Sequence, residues 1–227
     1  MERDLGGNTL MSSESQSRPM RICVFVDFWN LQLTLNQCLS KANGGGDVRA
    51  KVDWRGLGPI FAQEAAQVVS GTGSPHSFDG TYIYTSYNPN TEEGKKYRNW
   101  ASSWLDRQPG VNVNARERKP KSLPKCSTCY KPITHCPHTG CGKPIVQTVE
   151  KGVDTLLATD LIRLAVSNTY DAAVVATLDA DMIPAVEFVQ TLSKKVIQAG
   201  FPPMGTALAT ECWGSFDVMK IADKIQR

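Results

Sequence analysis

Two stretches of sequence decide the fold: Ile22-Cys-Val-Phe-Val-Asp27-Phe-Trp-Asn30 and Val174-Val-Ala-Thr177-Leu-Asp179-Ala-Asp181. Each begins with a short run of apolar, largely β-branched residues, which is typical of a strand buried on both faces. In each stretch the apolar run is followed by carboxylates. Because parallel α/β sheets bind ligands beyond the carboxyl ends of their strands, we expect these acids to share one crevice.

The rest of the chain alternates predicted strands and helices. The predicted strands are 21–26, 81–86, 111–115, 172–177, 195–199 and a last short one at 206–209. The predicted helices are 29–39, one through 61–69 capped by Asp53, 91–105 capped by Thr91, 153–167, 182–192, and a terminal one from Ser215 to Ile225. This alternation predicts an α/β protein, a three-layer α/β/α sandwich around a mostly parallel sheet.

Composition indicates an ordinary globular protein of 227 residues, long enough for one large domain with a full core. The net charge of +3 is too small to indicate a polyanionic partner by itself. No apolar run approaches the roughly 20 residues of a membrane-spanning helix. Residues 1–19 are polar and lack the apolar centre of a signal peptide. We therefore expect a disordered leader over 1–19, a cytoplasmic location and no membrane partner.

A fourth aspartate, in Lys151-Gly-Val-Asp154, opens the helix that precedes the second buried strand. Four carboxylates at one sheet edge repel one another unless a cation holds them. Hard oxygen ligands suit Mg²⁺ or Mn²⁺, the ions of phosphodiester chemistry, so the sequence indicates a metal-dependent nuclease. Lys151 is placed to neutralise a phosphate oxygen. The alternative is that each Asp only caps a helix, although capping does not explain why so many acids share one edge. Asp160 is interpreted as a rim residue of the same site.

The three motifs Asp27-x-x-Asn30, Lys151-Gly-Val-Asp154 and Thr177-x-Asp179-x-Asp181, with Pro184 following, occur in this order. Together they resemble the NYN domain of the PIN-like nuclease superfamily, with the LabA-like branch nearest. The resemblance covers 21–225 apart from an insertion at 116–146, and it implies one domain over 20–227 that this insertion interrupts. It implies a Mg²⁺- or Mn²⁺-dependent endoribonuclease, with RNA as partner, in which the four aspartates bind metal. It also implies that Asn30 orients Asp27 or the substrate.

One position departs from the family pattern, because the family usually has Gly directly before the acid at 179 and this chain has Leu178. That departure favours the alternative of a catalytically weak or inactive RNA-binding or protein-interaction module. A phosphatase of the haloacid-dehalogenase type is disfavoured, since it needs a second acid where Trp29 stands. A dinucleotide oxidoreductase is disfavoured because no Gly-rich turn follows the first strand.

The insertion holds most of the Cys and His residues. Its thiols are Cys126, Cys129, Cys136 and Cys141, with His135 and His138 between them. Four thiolates at this spacing predict a closed structural Zn²⁺ site, with His135 or His138 replacing Cys136 as the alternative. Since the insertion has little apolar content, the metal would supply its folding free energy. Cys23, Cys38 and Cys212 are scattered and are interpreted as core or near-core residues.

Basic residues lead into the insertion: Arg116, Arg118, Lys119, Lys121 and Lys125. They are interpreted as RNA-phosphate contacts, against the alternative of a solvated loop. Trp29 is the aromatic residue best placed to stack on a base, because it follows Asp27. The sequence leaves open a homo-oligomer or a protein partner.

Overall fold

The computed structural model describes residues 18–71 and 75–227. Its centre is a six-stranded, entirely parallel sheet with the strand order β3-β2-β1-β6-β7-β8. The strands are β1 (Met20–Asp27), β2 (His76–Tyr87), β3 (Val111–Glu117), β6 (Ala172–Ala176), β7 (Lys195–Gly200) and β8 (Gly214–Asp217). The predicted fold class is confirmed. Residues 1–17 of the predicted leader lie outside the described residues.

Helices cover both faces of the sheet because the central strands are apolar on both sides. The helices are α1 (Phe28–Ala42), α2 (Leu57–Ser70), α3 (Glu92–Ser103), α4 (Val153–Val166), α5 (Ile183–Thr191) and α6 (Thr206–Glu211). Along β1, Val24 and Val26 pack into the core with α1 and α2. Cys23 and Phe25, which point the other way, pack with α4 and α5. The period-2 alternation of the strand thus places one apolar core on each face.

The chain reverses its direction of travel across the sheet between β1 and β6. From β1 it proceeds to β2 and β3 on one side, and later from β6 to β7 and β8 on the other. A crevice therefore opens between the carboxyl ends of β1 and β6, the usual place for a ligand in an open α/β sheet. Asp27 ends β1, and the Thr177–Asp181 turn follows β6.

Three local predictions are wrong. Residues 206–209 form helix α6 and not a strand, and short apolar runs do not distinguish the two. The α2 N-cap is Gly56, while the Asp53 carboxylate pairs with Arg227 at 3.2 Å. Ser215 lies inside β8, and Asp217 caps the following 3₁₀ helix Val218–Lys224 by accepting from the backbone N–H of Met219.

Thr91 does cap α3, as predicted, because its hydroxyl oxygen accepts from the backbone N–H of Gly94 at 3.1 Å. Tyr97 and Trp100 of α3 pack against the α1 side of the core, as does Trp104. Cys23 and Cys212 are buried and Cys38 is half-buried, which agrees with their interpretation as core or near-core residues. No helix in the described part of the chain is long and apolar enough to cross a membrane.

A two-stranded antiparallel ribbon, β4 (Lys119–Pro120) with β5 (Thr148–Val149), carries the Cys-rich segment. The chain leaves the sheet at the end of β3, enters the ribbon one residue later, and returns from it directly into the turn before α4. The backbone N–H of Lys121 extends the ribbon by donating to the carbonyl oxygen of Gln147 at 2.8 Å. The two ends of the segment are therefore held together beside the carboxyl edge of the sheet.

Candidate active site

Asp27 lies at the floor of the crevice, with only 6% of its surface exposed. It ends β1 and caps α1, since its Oδ1 accepts from the backbone N–H of Asn30 at 3.1 Å. Burial raises the pKa of Asp27 to about 6, and the negative charges of Asp154 and Glu150 act in the same direction. An acid in this setting gains most when a cation is present to neutralise it.

Asp179 and Asp181 lie on the turn after β6. The Asp179 carboxylate, half-buried, caps the short 3₁₀ helix Ala180–Met182 by accepting from the backbone N–H of Asp181 at 2.9 Å. Asp181 is exposed. A second hydrogen bond stabilises the turn, because the Asp179 backbone N–H donates to the Thr177 hydroxyl at 3.2 Å.

Asn30 joins the two halves of the crevice. Its side-chain oxygen accepts from the backbone N–H of Leu178 at 3.1 Å, which ties the first turn of α1 to the turn after β6. Its backbone N–H is the group that holds Asp27. Asn30 therefore adds a side-chain link between the end of β1 and the turn that carries Asp179, beyond the direct pairing of β1 with β6.

Asp154 enters the crevice from the first turn of α4. The N-cap of α4 is Gly152 in the left-handed conformation, so Asp154 does not cap the helix. Partial desolvation and the charges of Asp179, Glu150 and Asp181 raise its pKa. The capping alternative thus describes Asp27 and Asp179 but not Asp154. Asp154 is therefore within electrostatic range of each of the other three predicted acids.

Glu150 is a fifth carboxylate of the crevice that sequence reasoning missed. Its charge raises the pKa values of both Asp27 and Asp154. The hydroxyl of Ser86, at the end of β2, donates to Glu150 Oε2. The signal was available in the sequence, because Glu150 directly precedes the Lys151-Gly-Val-Asp154 motif.

Arg118 is half-buried and turns toward the acids. Its Nε donates to the Ser86 hydroxyl at 2.9 Å, and its Nη2 lies 3.9 Å from Glu150 Oε2. The guanidinium lies over the Trp29 ring, 5.6 Å from the centroid. Trp29 itself is half-buried, donates its indole N–H to the Ser86 carbonyl oxygen and packs against Phe28 and Tyr97. Neither side chain is in the free, outward position that the RNA-contact prediction assumed.

A basic groove of about 620 Å³ runs between the end of β3, the ribbon and the start of α4. Arg116, Lys119 and Lys151 line it, with Glu117 as the opposing charge. Thr155, next to Asp154 on α4, also lines the groove, so it opens beside the acidic crevice. Lys121, although exposed, is outside the groove lining.

Asp160 has a structural environment separate from the crevice. It is nearly buried on α4, accepts from the Tyr84 hydroxyl at 2.9 Å and pairs with Arg163 at 3.0 Å. Because both of its oxygens are engaged, Asp160 fixes α4 to the sheet and is not a rim residue.

The Cys-rich segment contains two small hairpins, each with two of the predicted thiols. The first is closed by pairing of Lys125 with Pro132 and the second by pairing of His135 with Pro144. Backbone N–H groups of Cys129 and Thr128 donate to the Cys126 sulfur and lower the pKa of its thiol. In the second hairpin, the Cys141 backbone N–H donates to the His138 carbonyl oxygen at 3.1 Å, and the His135 ring bonds to the Thr134 hydroxyl.

The donor chemistry of the crevice fits a hard divalent cation, since it offers only carboxylate oxygens and these carry mutually unfavourable charge. Within 18–71 and 75–227, no three acidic, Cys or His side chains already converge as a metal-binding group. Mg²⁺ in proteins usually keeps several waters and binds one or two carboxylates together with substrate phosphates. An open arrangement of carboxylates around a crevice is compatible with that mode of binding.

The fold and the site together define an α/β domain with a three-layer sandwich and carboxylates at the switch point of a parallel sheet. The NYN domain family model matches residues 21–216, and the chain belongs to that family. NYN and related PIN-like nucleases typically use a divalent metal and act on RNA. No curated protein matches the sequence. Among solved structures, the fold is similar to a protein of unknown function from Vibrio parahaemolyticus, with 16% identity, a TM-score of 0.53, and coverage of 89% of this chain and 94% of the other.

Proposed function

We propose that this protein is a metal-dependent endoribonuclease whose site is the crevice between β1 and β6. The observation that carries the proposal is the placing of Asp27, Asp154, Asp179 and Asp181 around the switch point of an NYN fold, where neighbouring negative charges and burial raise the pKa values of Asp27 and Asp154. Folding keeps these charges together at a cost to the free protein, which favours a role in binding a cation. Membership of the LabA-like branch is part of the same proposal.

The four aspartates would hold Mg²⁺ or Mn²⁺, which when bound supplies Lewis-acid stabilisation of the charge on the scissile phosphate. Asn30 keeps Asp27 and the turn that carries Asp179 in a fixed relation through its two hydrogen bonds. Lys151 lies on the groove side of the crevice, where its ammonium group can neutralise a neighbouring phosphate oxygen.

RNA is the proposed substrate, and the basic groove is the proposed path of its backbone. This surface carries the positive charge that attracts a phosphate backbone, from Arg116, Lys119 and Lys151. Because the groove opens beside Asp154, a strand lying in it would have one phosphate next to the carboxylates. Arg118 and Trp29 are not part of this path, since each is engaged by Ser86.

We also propose that 116–146 is a zinc-binding insertion in a domain that otherwise spans 20–227. The ribbon that closes the segment and the two Cys-containing hairpins support this. Backbone N–H donors to a sulfur, as at Cys126, favour its thiolate, the form that binds zinc. Cys126, Cys129, Cys136 and Cys141 are the proposed ligands, two from each hairpin, with His135 or His138 in place of Cys136 as the alternative.

The first experiment is cleavage of a fluorescent single-stranded RNA in Mn²⁺ by the wild-type protein, Asp27→Asn and Asp179→Asn. Each substitution removes one negative charge and keeps a hydrogen-bond acceptor, so both should lose about 100-fold or more of the activity while remaining folded by circular dichroism.

Asp223→Asn is the matched control, since Asp223 is exposed on the terminal 3₁₀ helix, and it should cleave like the wild type. EDTA should stop cleavage by every active form. RNA binding without metal-dependent cleavage in the wild-type protein would instead support the alternative of an inactive RNA-binding module.

A further inference from the structure

We propose that Glu150 is a fifth carboxylate of the metal site and that Arg118 is the positioning residue that holds it there. This inference rests on the proposed function, because it concerns the same crevice. Its basis is the set of contacts by which the two ends of the Cys-rich segment bind to the residues around the crevice.

Glu150 has no regular secondary structure to hold it, since it lies between β5 and α4. Its side chain is nevertheless fixed at two points: the Ser86 hydroxyl donates to Oε2, and Arg118 Nη2 lies 3.9 Å from the same oxygen. Both contacts are made by Oε2, and neither engages Oε1. The restraints therefore aim the carboxylate while leaving one oxygen for another partner.

Arg118 is itself held by three contacts, one through its backbone and two through its side chain. Its backbone N–H donates to the Tyr87 carbonyl oxygen at 2.8 Å, its Nε donates to Ser86, and its guanidinium covers Trp29. Trp29 follows Asp27 by two residues and donates to the Ser86 carbonyl oxygen at 2.7 Å. The set Trp29, Ser86, Arg118 and Glu150, here termed the clasp, thus links the ends of β1 and β2 to the turn before α4.

The clasp joins the two ends of the Cys-rich segment. Arg118 immediately precedes β4 and Glu150 immediately follows β5, and β4 pairs with β5 through Lys119 with Val149 and Pro120 with Thr148. The ribbon and the clasp thereby place Glu150 close enough to Asp27 and Asp154 to interact with them electrostatically. The segment therefore contributes a carboxylate to the crevice as well as a basic wall to the groove.

This arrangement also gives Arg118 a role different from that of Arg116 and Lys119. Arg116 and Lys119 are exposed and line the groove, whereas Arg118 offsets part of the negative charge of the crevice and restrains one of its members. A planar guanidinium suits this task because it donates from Nε and Nη2 in fixed directions and stacks on an aromatic ring at the same time.

The test of Glu150 is calorimetric titration of the full-length protein with Mn²⁺ in the absence of RNA. Glu150→Gln keeps the size of the side chain and its acceptor for Ser86 but removes the charge, and it should weaken Mn²⁺ binding by about 10- to 100-fold. Glu211→Gln is the control: Glu211 is an exposed residue ending α6, which runs back toward the opposite edge of the sheet.

The outcomes separate this inference from the proposed function. Suppose that Asp27→Asn weakens Mn²⁺ binding but Glu150→Gln binds Mn²⁺ as tightly as the control Glu211→Gln. That result would overturn the role of Glu150 alone. Absence of any Mn²⁺ binding by the wild-type protein would overturn both.

The test of Arg118 compares Arg118→Ala and Arg118→Lys in two measurements. A positioning role predicts that kcat for RNA cleavage falls about tenfold in Arg118→Ala and less in Arg118→Lys, with RNA affinity in EDTA unchanged in both. Weaker RNA binding in EDTA with an unchanged kcat would make Arg118 an RNA contact and overturn its role as a positioning residue. So would wild-type behaviour of Arg118→Ala in both measurements.

Discussion

At the scale of single residues, Asp27 shows that favourable packing of β1 keeps a carboxylate in an unfavourable, buried position. The β1 strand that ends with Asp27 is buried on both faces, and the apolar packing of Val24, Phe25 and Val26 sets where the carboxylate must lie. Packing of several such side chains, at roughly 1.5–3 kcal/mol each, outweighs the cost of burying one acid among other negative charges.

That cost predicts a stabilising substitution. The folded pKa of Asp27 is about 6 against an ordinary value of 3.8, so the folded protein binds more protons between these pH values. The contribution of this group to stability is present below about pH 4 and lost as pH rises through 6. Asp27→Asn should therefore make the metal-free protein more stable at pH 7, by at most about 3 kcal/mol, with little gain at pH 4.

Urea unfolding in EDTA at these two pH values measures the effect, with Asp223→Asn as the control for loss of an exposed acid. A metal-free Asp27→Asn protein that is less stable than wild type at pH 7 would contradict the prediction. Excess Mn²⁺ should reverse the order, because it binds only the wild-type crevice strongly.

Leu178 occupies the position where a smaller residue was expected, and the structure accommodates it. Its side chain is half-buried against the α1 side of the core, and its backbone N–H is bonded to Asn30. Gly205 makes the room: a Cβ there would lie 2.6 Å from Leu178 Cδ2. The turn that carries Asp179 keeps its hydrogen bonds with Leu178 in place.

Leu178→Gly should therefore lower stability and leave RNA cleavage no higher than in the wild type. The expected loss is about 1–3 kcal/mol, from the missing apolar contact and from the added freedom of the unfolded chain. Thermal unfolding and the cleavage assay together check this prediction. A clear rise in cleavage would show that Leu178 restrains the site, in favour of the weakly active alternative.

At the scale of elements, the Cys-rich segment has no core of its own, because none of residues 119–149 is fully buried. Its described contacts are short hairpins and the β4–β5 ribbon, and Tyr130 and Val146 are exposed. Such a segment needs another source of free energy, which a structural metal supplies in many small domains.

We expect one zinc ion per chain by elemental analysis of the purified protein. Cys126→Ser and Cys141→Ser should each remove most of it, whereas Cys38→Ser should retain it, because Cys38 lies on α1 among core residues. Recovery of a fully folded wild-type protein without zinc would contradict the prediction. Hydrogen exchange should show that zinc loss exposes the ribbon amides first and leaves the six-stranded sheet protected.

At the scale of the whole molecule, the acidic crevice and the basic groove are built from distant parts of the chain. The crevice combines β1, the turn after β6 and the start of α4, while the groove combines β3, the ribbon and α4. Helix α4 contributes to both, and the proposed RNA path depends on this shared element.

The double variant Arg116→Ala/Lys119→Ala should weaken RNA binding and reduce its salt dependence. Loss of two phosphate contacts should lower the slope of log K against log salt by about 1–1.5 for a single strand. The double variant Lys41→Ala/Lys220→Ala removes the same charge from exposed positions outside the groove and is the control. Fluorescence anisotropy in EDTA from low to moderate salt measures both, and equal slopes for the two variants would contradict the proposed RNA path.

The sequence by itself determined the α/β class, the positions of the central strands and the location of the four aspartates at strand ends and helix starts, although β2 begins at His76, five residues before its predicted start. These features are local, because strand burial, helix capping and the order of motifs depend on residues that are close together in the sequence. It failed at 206–209 and at Ser215, where short apolar runs satisfy both helix and strand patterns.

Only the tertiary structure decided which charged residues meet. Arg118 and Arg116 are indistinguishable in the sequence, yet Arg118 turns to Ser86 and Glu150 while Arg116 faces the groove. Glu150 joins the crevice because the ribbon brings it back beside Ser86, which lies 64 positions away in the chain. Such pairings depend on the order of the strands in the sheet and on the direction of each side chain. The spacing of residues along the sequence predicts neither of these.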